Sequence, residues 1–300
     1  MIKEIVVASG KGGTGKTFIS SNLAFFIKYH LKKEVVCADA DVEAPDLILA
    51  LGGIRKVISE RHFYGTKLPI IDYNVCIKCG LCIEACKFNA LRMSDRGPTV
   101  DYYRCEGLGT CSLVCPVDAI KFKEKAIGKI IVAESNVGIV TVTGDLEIGE
   151  SNSGRLVYEL KKDARNFAER KGAGYIIVDA APGIGCPVIS SLSGSDLLLI
   201  VIEPTPQSLK GAKRLMEVSE RLNINWYVII NKYDLNLEFS KKMLSMFGPK
   251  VLGTIPYDFE VVVSYSRMIP LLSLMPSSRT PTALKDAFGK LFRGFVWEEL

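Results

Sequence analysis

Histidine is nearly absent: His30 and His62 are the only two in 300 residues. His30 ends a stretch with helical patterning and His62 falls in a loop. Neither lies beside a candidate nucleophile, so Ser–His and Cys–His hydrolases are not expected. Long apolar runs are missing as well. The longest, Leu197 to Ile202, has the length of a strand, far short of the roughly 20 residues that cross a bilayer. The N-terminus, Met1-Ile2-Lys3-Glu4, leads straight into a strand pattern without the basic and apolar regions of a secretory leader, so the cytoplasm is the expected location. Charge of one sign is scarce too. The formal net charge is +5, with lysines scattered in pairs such as Lys32-Lys33, Lys161-Lys162 and Lys241-Lys242. Without a concentrated basic patch, nucleic acid is not an expected partner.

What is present is an ordinary globular composition, 48% hydrophobic and 24% charged, in a chain long enough for one large α/β domain and a small extra module. Of the nine cysteines, seven crowd into Cys76–Cys115, while Cys37 and Cys186 stand alone. In a reducing compartment such a cluster points to soft-metal ligation rather than disulfides. Cys37, inside a strand, and Cys186 are expected to be inert small residues.

Apolar runs at Lys3–Ala8, Glu34–Ala38, Gly138–Thr143, Tyr175–Ala180, Leu197–Ile202, Trp226–Ile230 and Val251–Ile255 read as strands. Helical periodicity marks Thr17–Leu31, Gly154–Arg170, Gln207–Leu222 and Glu238–Met246. This alternation predicts an α/β fold, a mostly parallel sheet flanked by helices. The last segment, Pro281 to Leu300, carries Leu284, Phe288, Leu291, Phe292 and Phe295 on one helical stripe. That stripe reads as core packing. The rival reading is a membrane-positioning anchor built from Phe288, Phe292, Phe295 and Trp297 with Lys285, Lys290 and Arg293.

The cysteine segment interrupts the alternation and repeats itself. A shift of 29 residues lays Asp72-Tyr73 on Asp101-Tyr102, Cys76, Cys82 and Cys86 on Cys105, Cys111 and Cys115, and Ala90-Leu91 on Ala119-Ile120. A duplicated unit at about 66–125 is therefore expected as an insertion into a domain formed by 1–65 and 126–300.

Ser9-Gly10-Lys11-Gly12-Gly13-Thr14-Gly15-Lys16-Thr17 fits G-x-x-x-x-G-K-[ST] between a strand and a helix. Backbone N–H groups of such a loop curl around phosphate oxygens at a helix N-terminus. Lys16 is the candidate for the β- and γ-phosphates, and Thr17 for Mg²⁺. With Lys11 the loop resembles the deviant Walker A ATPases of the Mrp/MinD superfamily. Asp39-Ala40-Asp41-Val42-Glu43 and Ile176–Gly185 resemble that family's switch I and its Walker B strand with switch II; Ala180-Ala181 departs slightly before Pro182-Gly183. Asn231-Lys232-Tyr233-Asp234 resembles its base-binding segment.

The resemblance implies Mg²⁺-dependent ATP hydrolysis with Lys11, Lys16 and Asp41 as catalytic residues. It implies nucleotide contacts from Gly12, Gly13, Thr14, Gly15, Lys16, Thr17, Asp39, Asp179 and Asn231, with Asn231 touching adenine. It also implies a homodimer closed by ATP, in which Lys11 reaches the partner's nucleotide.

Cys76-x2-Cys79-x2-Cys82-x3-Cys86 resembles the bacterial ferredoxin run, and Cys115-Pro116 closes the second unit. The resemblance implies a small inserted α+β ferredoxin-like domain in which each cluster takes its fourth ligand from the other repeat. One [4Fe–4S] cluster would use Cys76, Cys79, Cys82 and Cys115. The second set is Cys86, Cys105 and Cys111, with Leu108 standing where Cys79 stands in the first, so a [3Fe–4S] or labile [4Fe–4S] cluster is expected there. Lys87 also replaces the proline that usually follows the first unit's last cysteine. Zinc is the competing metal, although two knuckles need neither the triplet nor the crossed repeat.

Three roles remain open at this point. In the first, ATP gates electron transfer to a redox partner. In the second, the chain is a carrier or maturation factor for iron–sulfur or metal cofactors. The third is the membrane-positioning ATPase.

Overall fold

A computed structural model describes residues 2–150, 153–275 and 277–295. The strands, in chain order, are β1 (Lys3–Ala8), β2 (Val35–Ala40), β3 (Ile54–Ile71), β4 (Leu91–Ser94), β5 (Gly97–Val100), β6 (Ile120–Ser135), β7 (Val140–Leu146), β8 (Tyr175–Ala180), β9 (Leu197–Ile202), β10 (Asn225–Asn231) and β11 (Val251–Ile255). The chain divides into two compact units. The first takes Met1–Arg61, Lys129–Ile148 and Asn152–Leu300; the second takes His62–Gly128 with Gly149–Ser151. The second unit thus runs a few residues beyond the expected 66–125, because β3 and β6 continue unbroken through both boundaries.

The larger sheet has the order β11-β10-β9-β1-β8-β2-β7-β6-β3, and every neighbouring pair from β11 to β7 is parallel. Unbroken apolar sequence explains this arrangement: all six residues of β2, β8 and β9 are buried, as a strand covered on both faces requires. Alternate residues serve opposite faces. One set, including Ile5, Val7, Ile177, Leu199 and Ile229, joins a core with Ile19 and Leu23 of the helix Lys16–Phe25. The other set, including Val6, Ile176, Val178 and Leu198, is equally buried, and the helix Ser153–Lys171 packs on β2, β7 and β8.

Helix ends follow local chemistry. Pro206 opens the helix Pro206–Arg221 behind Thr205, whose hydroxyl accepts from Ser208 N–H at 3.3 Å. Asp258 caps Phe259–Ser266 through Glu260 N–H at 2.9 Å. The first helix ends sooner than its pattern suggests: regular α-helix stops at Phe25 and a π-turn carries Phe26–His30. In the final helix, Arg279–Phe295, the residues Leu284, Phe288, Leu291 and Phe292 are buried in the core. Phe288 and Phe292 are therefore not available to a membrane, which corrects that part of the anchor reading. Trp297 and the Phe295 side chain lie outside the described residues. Among the described residues, no helix is long and apolar enough to cross a membrane.

The second unit is two copies of one plan. Short helices Leu81–Ala85 and Thr110–Leu113 follow Gly80 and Gly109, both left-handed at φ 82° and 84°. Lys78 and Gly107 share φ 57° and 66°, and Asn89 and Asp118 share φ 51°. Asp72 and Asp101 cap their own turns through Asn74 N–H at 3.0 Å and Tyr103 N–H at 3.1 Å. Every one of these pairs is separated by the 29-residue shift. The copies are bound crosswise: Asp72 N–H donates to Ala119 C=O at 2.8 Å, and Asp101 N–H to Ala90 C=O at 2.7 Å.

Candidate functional site

In the first unit the parallel register brings the candidate residues to one edge. Asp39 pairs with Asp179 and Val7 with Asp179 across neighbouring strands, so the loops after Ala8, Ala40 and Ala180 emerge together. Ligands bind beyond such carboxyl ends. The glycine loop after β1 must squeeze past the helix Pro206–Arg221. A Cβ on Gly10 would stand 2.2 Å from Gly211 Cα, so nothing larger than glycine fits. Gly15 has φ 92°, and a Cβ there would strike Asn231 Nδ2 at 2.5 Å.

The loop opens onto a cavity of about 480 Å³ lined by Gly12, Gly13, Gly15, Lys16, Thr17 and Asp41, with Asn231, Pro256, Tyr257 and Tyr265 among the residues on its walls. Lys16 is only 8% exposed. Thr17 Oγ1 donates to Asp179 Oδ2 at 2.7 Å, and Ser20 Oγ donates to Asp179 Oδ1 at 2.8 Å. Asp39 accepts from Leu47 N–H at 2.9 Å and Asp41 N–H at 3.3 Å, which shapes the turn after β2. Gly183 N–H donates to Ser9 C=O at 3.0 Å, tying the loop after β8 to the start of the glycine loop.

Buried acid dominates the electrostatics. Burial pushes Asp179 up to about 6, even though Lys16, Thr17 and Ser20 pull it down. Burial and the charge of Asp179 also hold Asp39 well above the usual carboxylate range. Asp41 is raised by burial and lowered by Lys16. Two buried carboxylates beside a loop of N–H donors suit a site whose charge is balanced by a cation bound with a polyanion.

Two residues are engaged otherwise than expected. The Asn231 amide is buried and donates to Thr14 C=O at 2.8 Å, so it braces the glycine loop. Lys11 forms an ion pair with Glu203 of its own chain; Glu203 also lies 3.4 Å from Lys232, whose ammonium donates to Gly13 C=O at 2.8 Å. Ser20 and Glu203 escaped the sequence reading. The available signals were a hydroxyl one helical turn past Thr17 and an acid directly after a strand.

In the second unit the cysteines separate into two groups. Cys76, Cys79, Cys82 and Cys115 line one cavity. Cys86, Cys105 and Cys111 line another of about 150 Å³, with Leu108 on its wall. Equivalent backbone donors mark both: Ala119 N–H lies 3.3 Å from Cys115 Sγ and Ala90 N–H 3.4 Å from Cys86 Sγ. Burial raises the Cys82 and Cys111 thiols; neighbouring cysteines raise them further, Cys111, Cys76 and Cys79 for the first and Cys105 and Cys86 for the second. All nine cysteines are free thiols. Among the described residues no three His, Cys, Asp or Glu side chains converge as a single bound ion requires. Cys37 is buried in β2, whereas Cys186 is exposed at the start of the helix Cys186–Leu192.

The fold and its glycine-loop cavity define a P-loop type α/β protein. The chain matches the family described as the CobQ/CobB/MinD/ParA nucleotide binding domain over residues 5–271, and it belongs to that family. Among its relatives is uncharacterized protein MJ0578 of Methanocaldococcus jannaschii, 34% identical over 97% of both chains. Uncharacterized ATP-binding protein MJ0823 of the same organism is 31% identical over 86% of this chain and 87% of the relative. The septum site-determining protein MinD complexed with Mg-ADP from Pyrococcus horikoshii OT3 superposes with TM-score 0.58 at 18% identity, covering 97% of this chain and 96% of that one. At that identity the likeness speaks for the fold.

Proposed function

We propose that this chain is a Mg²⁺-dependent ATPase that carries iron–sulfur clusters in its second unit and uses nucleotide-driven dimerisation to gate electron transfer or partner binding. The observation that carries the ATPase half is the bond from Thr17 to Asp179 beneath the Lys16 loop. In this reading Lys16 and the loop N–H groups hold the β- and γ-phosphates. Thr17 holds Mg²⁺, with Asp179 and Asp39 outside it, and Asp41 orients the attacking water. Lys11 leaves Glu203 to reach the second copy's nucleotide, supplying a cation to the transferred phosphoryl group. Turnover without a further stimulus is slow, about 10⁻⁴ to 10⁻² per second, as in P-loop switches lacking an assembled transition-state cation. A Lys16→Ala variant tests the assignment: hydrolysis at the parent's rate would refute it.

The cluster half rests on the donor chemistry. Thiolates are the ligands of iron–sulfur clusters, and the two cavities collect the crossed sets that a duplicated ferredoxin pattern calls for. Cys76, Cys79, Cys82 and Cys115 would hold one [4Fe–4S] cluster, and Cys86, Cys105 and Cys111 a second, incomplete one. When bound, such clusters supply one-electron chemistry. The thiols themselves need a reducing setting, which agrees with a cytoplasmic protein. The inserted unit follows the Asp39–Asp46 segment in the chain, so a change there on nucleotide binding has a covalent path to it. The absence of one thiolate from the second set also favours a carrier role. Incubation with an apo-ferredoxin tests it: cluster loss from this protein supports the carrier role, and retention removes it.

A further inference from the structure

Besides the long segment His62–Gly128, the second unit takes Gly149–Ser151, a short excursion of the chain between β7 and the helix Ser153–Lys171. Within that unit Glu150 forms an ion pair with Lys125 of β6. The pair stands out from its surroundings. Glu147, Ile148 and Gly149 before it are exposed, whereas the Glu150 side chain is only 18% exposed. Gly149 makes the bend, at φ 80°, a left-handed conformation that glycine adopts without steric cost.

The same length of chain is fixed on the nucleotide side as well. Leu146 N–H donates to Val42 C=O at 2.9 Å. A Cβ on Gly144 would stand 2.7 Å from Val42 Cγ1, so the end of β7 presses on the residue that follows Asp41. Asp41 itself lines the glycine-loop cavity. Farther along, the buried Gly154 packs on Cys186, which opens the helix after β8; a Cβ there would stand 3.0 Å from Cys186 Cβ. Between Leu146 and Glu150 stand only Glu147, Ile148 and Gly149. Movement at Val42 therefore reaches Glu150 through at most about 14 Å of chain.

We propose that Glu150 is a coupling residue: nucleotide binding that moves Asp41 and Val42 draws on Leu146, and the Glu150–Lys125 pair carries the displacement into the second unit. The inference rests on the nucleotide-binding reading of the first unit and asks nothing of what the cysteine cavities hold. Coupling between two sites is reciprocal, so the pair also lets the state of β6 bias the nucleotide site.

The test is hydrogen exchange on the full chain, purified without air, with and without Mg²⁺ and a non-hydrolysable ATP analogue. In the parent, nucleotide should slow exchange in residues 10–17 and change it at least threefold in residues 120–125. In Glu150→Gln the protection of residues 10–17 should persist, which shows that the variant is folded, while the response of residues 120–125 should disappear. Combining Glu150→Lys with Lys125→Glu should restore that response, which a merely structural role for Glu150 would not do. A parent without the response in residues 120–125, a Glu150→Gln variant that keeps it, or a charge swap that binds nucleotide and stays silent overturns the coupling and leaves nucleotide binding standing. A parent in which residues 10–17 gain no protection overturns the reading beneath it.

Discussion

Glu203 holds Lys11 in an ion pair within one chain and lies 3.4 Å from Lys232 as well. A lysine that is to serve a second copy must first leave this carboxylate. The Lys11 side chain is 36% exposed, so the pair is worth only about 1 kcal/mol. Each copy gives up one such pair on closing, so replacing Glu203 with Gln should raise the ATP-dependent dimer association constant roughly thirtyfold, the equivalent of about 2 kcal/mol. Sedimentation with a non-hydrolysable ATP analogue reads this directly. An unchanged dimer fraction means that the pair is no latch.

Asp179 makes the nucleotide-free protein sensitive to pH. Its carboxyl is raised from 3.8 to about 6, so between these values the folded state binds more protons than the unfolded chain. Stability therefore falls as pH rises from about 4 to about 6, and the deficit persists above that range. Asp179→Asn should remove it, stabilising the nucleotide-free fold at pH 7.5 by on the order of 3 kcal/mol. Denaturant melts at pH 5 and 7.5 check the slope. The same variant should bind Mg²⁺-ATP more weakly.

Asn231 braces the glycine loop through Thr14 C=O. Asn231→Ala should cost about 1 to 2 kcal/mol of stability, from a buried carbonyl left without its donor. It should also weaken nucleotide binding even for nucleotides of different base. If affinity falls for adenine nucleotides alone, base recognition rather than bracing is its role.

The crossed cysteine sets separate the two copies experimentally. Cys115→Ser lies in the second repeat yet should abolish the four-iron signal of the first cavity, and Cys86→Ser, in the first repeat, should disturb only the second. EPR of the two variants decides it. Loss confined to each residue's own repeat would mean uncrossed sets.

Much of this was legible in sequence where one physical constraint acted alone. Tyr175–Ala180, Leu197–Ile202 and Val251–Ile255 keep their expected bounds because strands buried on both faces are unbroken apolar runs. β3 escaped notice for the opposite reason. Ile54–Ile71 mixes Arg55, Lys56, Glu60 and Arg61 with exposed Ile54, Val57 and Ile58, leaving no apolar run to read. The π-turn at Phe26–His30 hides in a pattern that stays helical through it. Among the site residues, Gly10–Thr17 announced itself by local spacing. The Lys11–Glu203 pair and the Asn231–Thr14 bond join residues about two hundred apart in the chain, and only the fold brings them together.

Nucleotide gating of electron transfer is tested most directly by a potentiometric titration of the air-free protein, monitored by EPR, with and without a non-hydrolysable ATP analogue and Mg²⁺. A four-iron signal from the first cavity is expected, its midpoint moving by at least about 30 mV when nucleotide binds, a threefold change in a one-electron equilibrium. Identical midpoints in both titrations would contradict gating, and a spectrum without any iron–sulfur signal would leave only the nucleotide-binding domain.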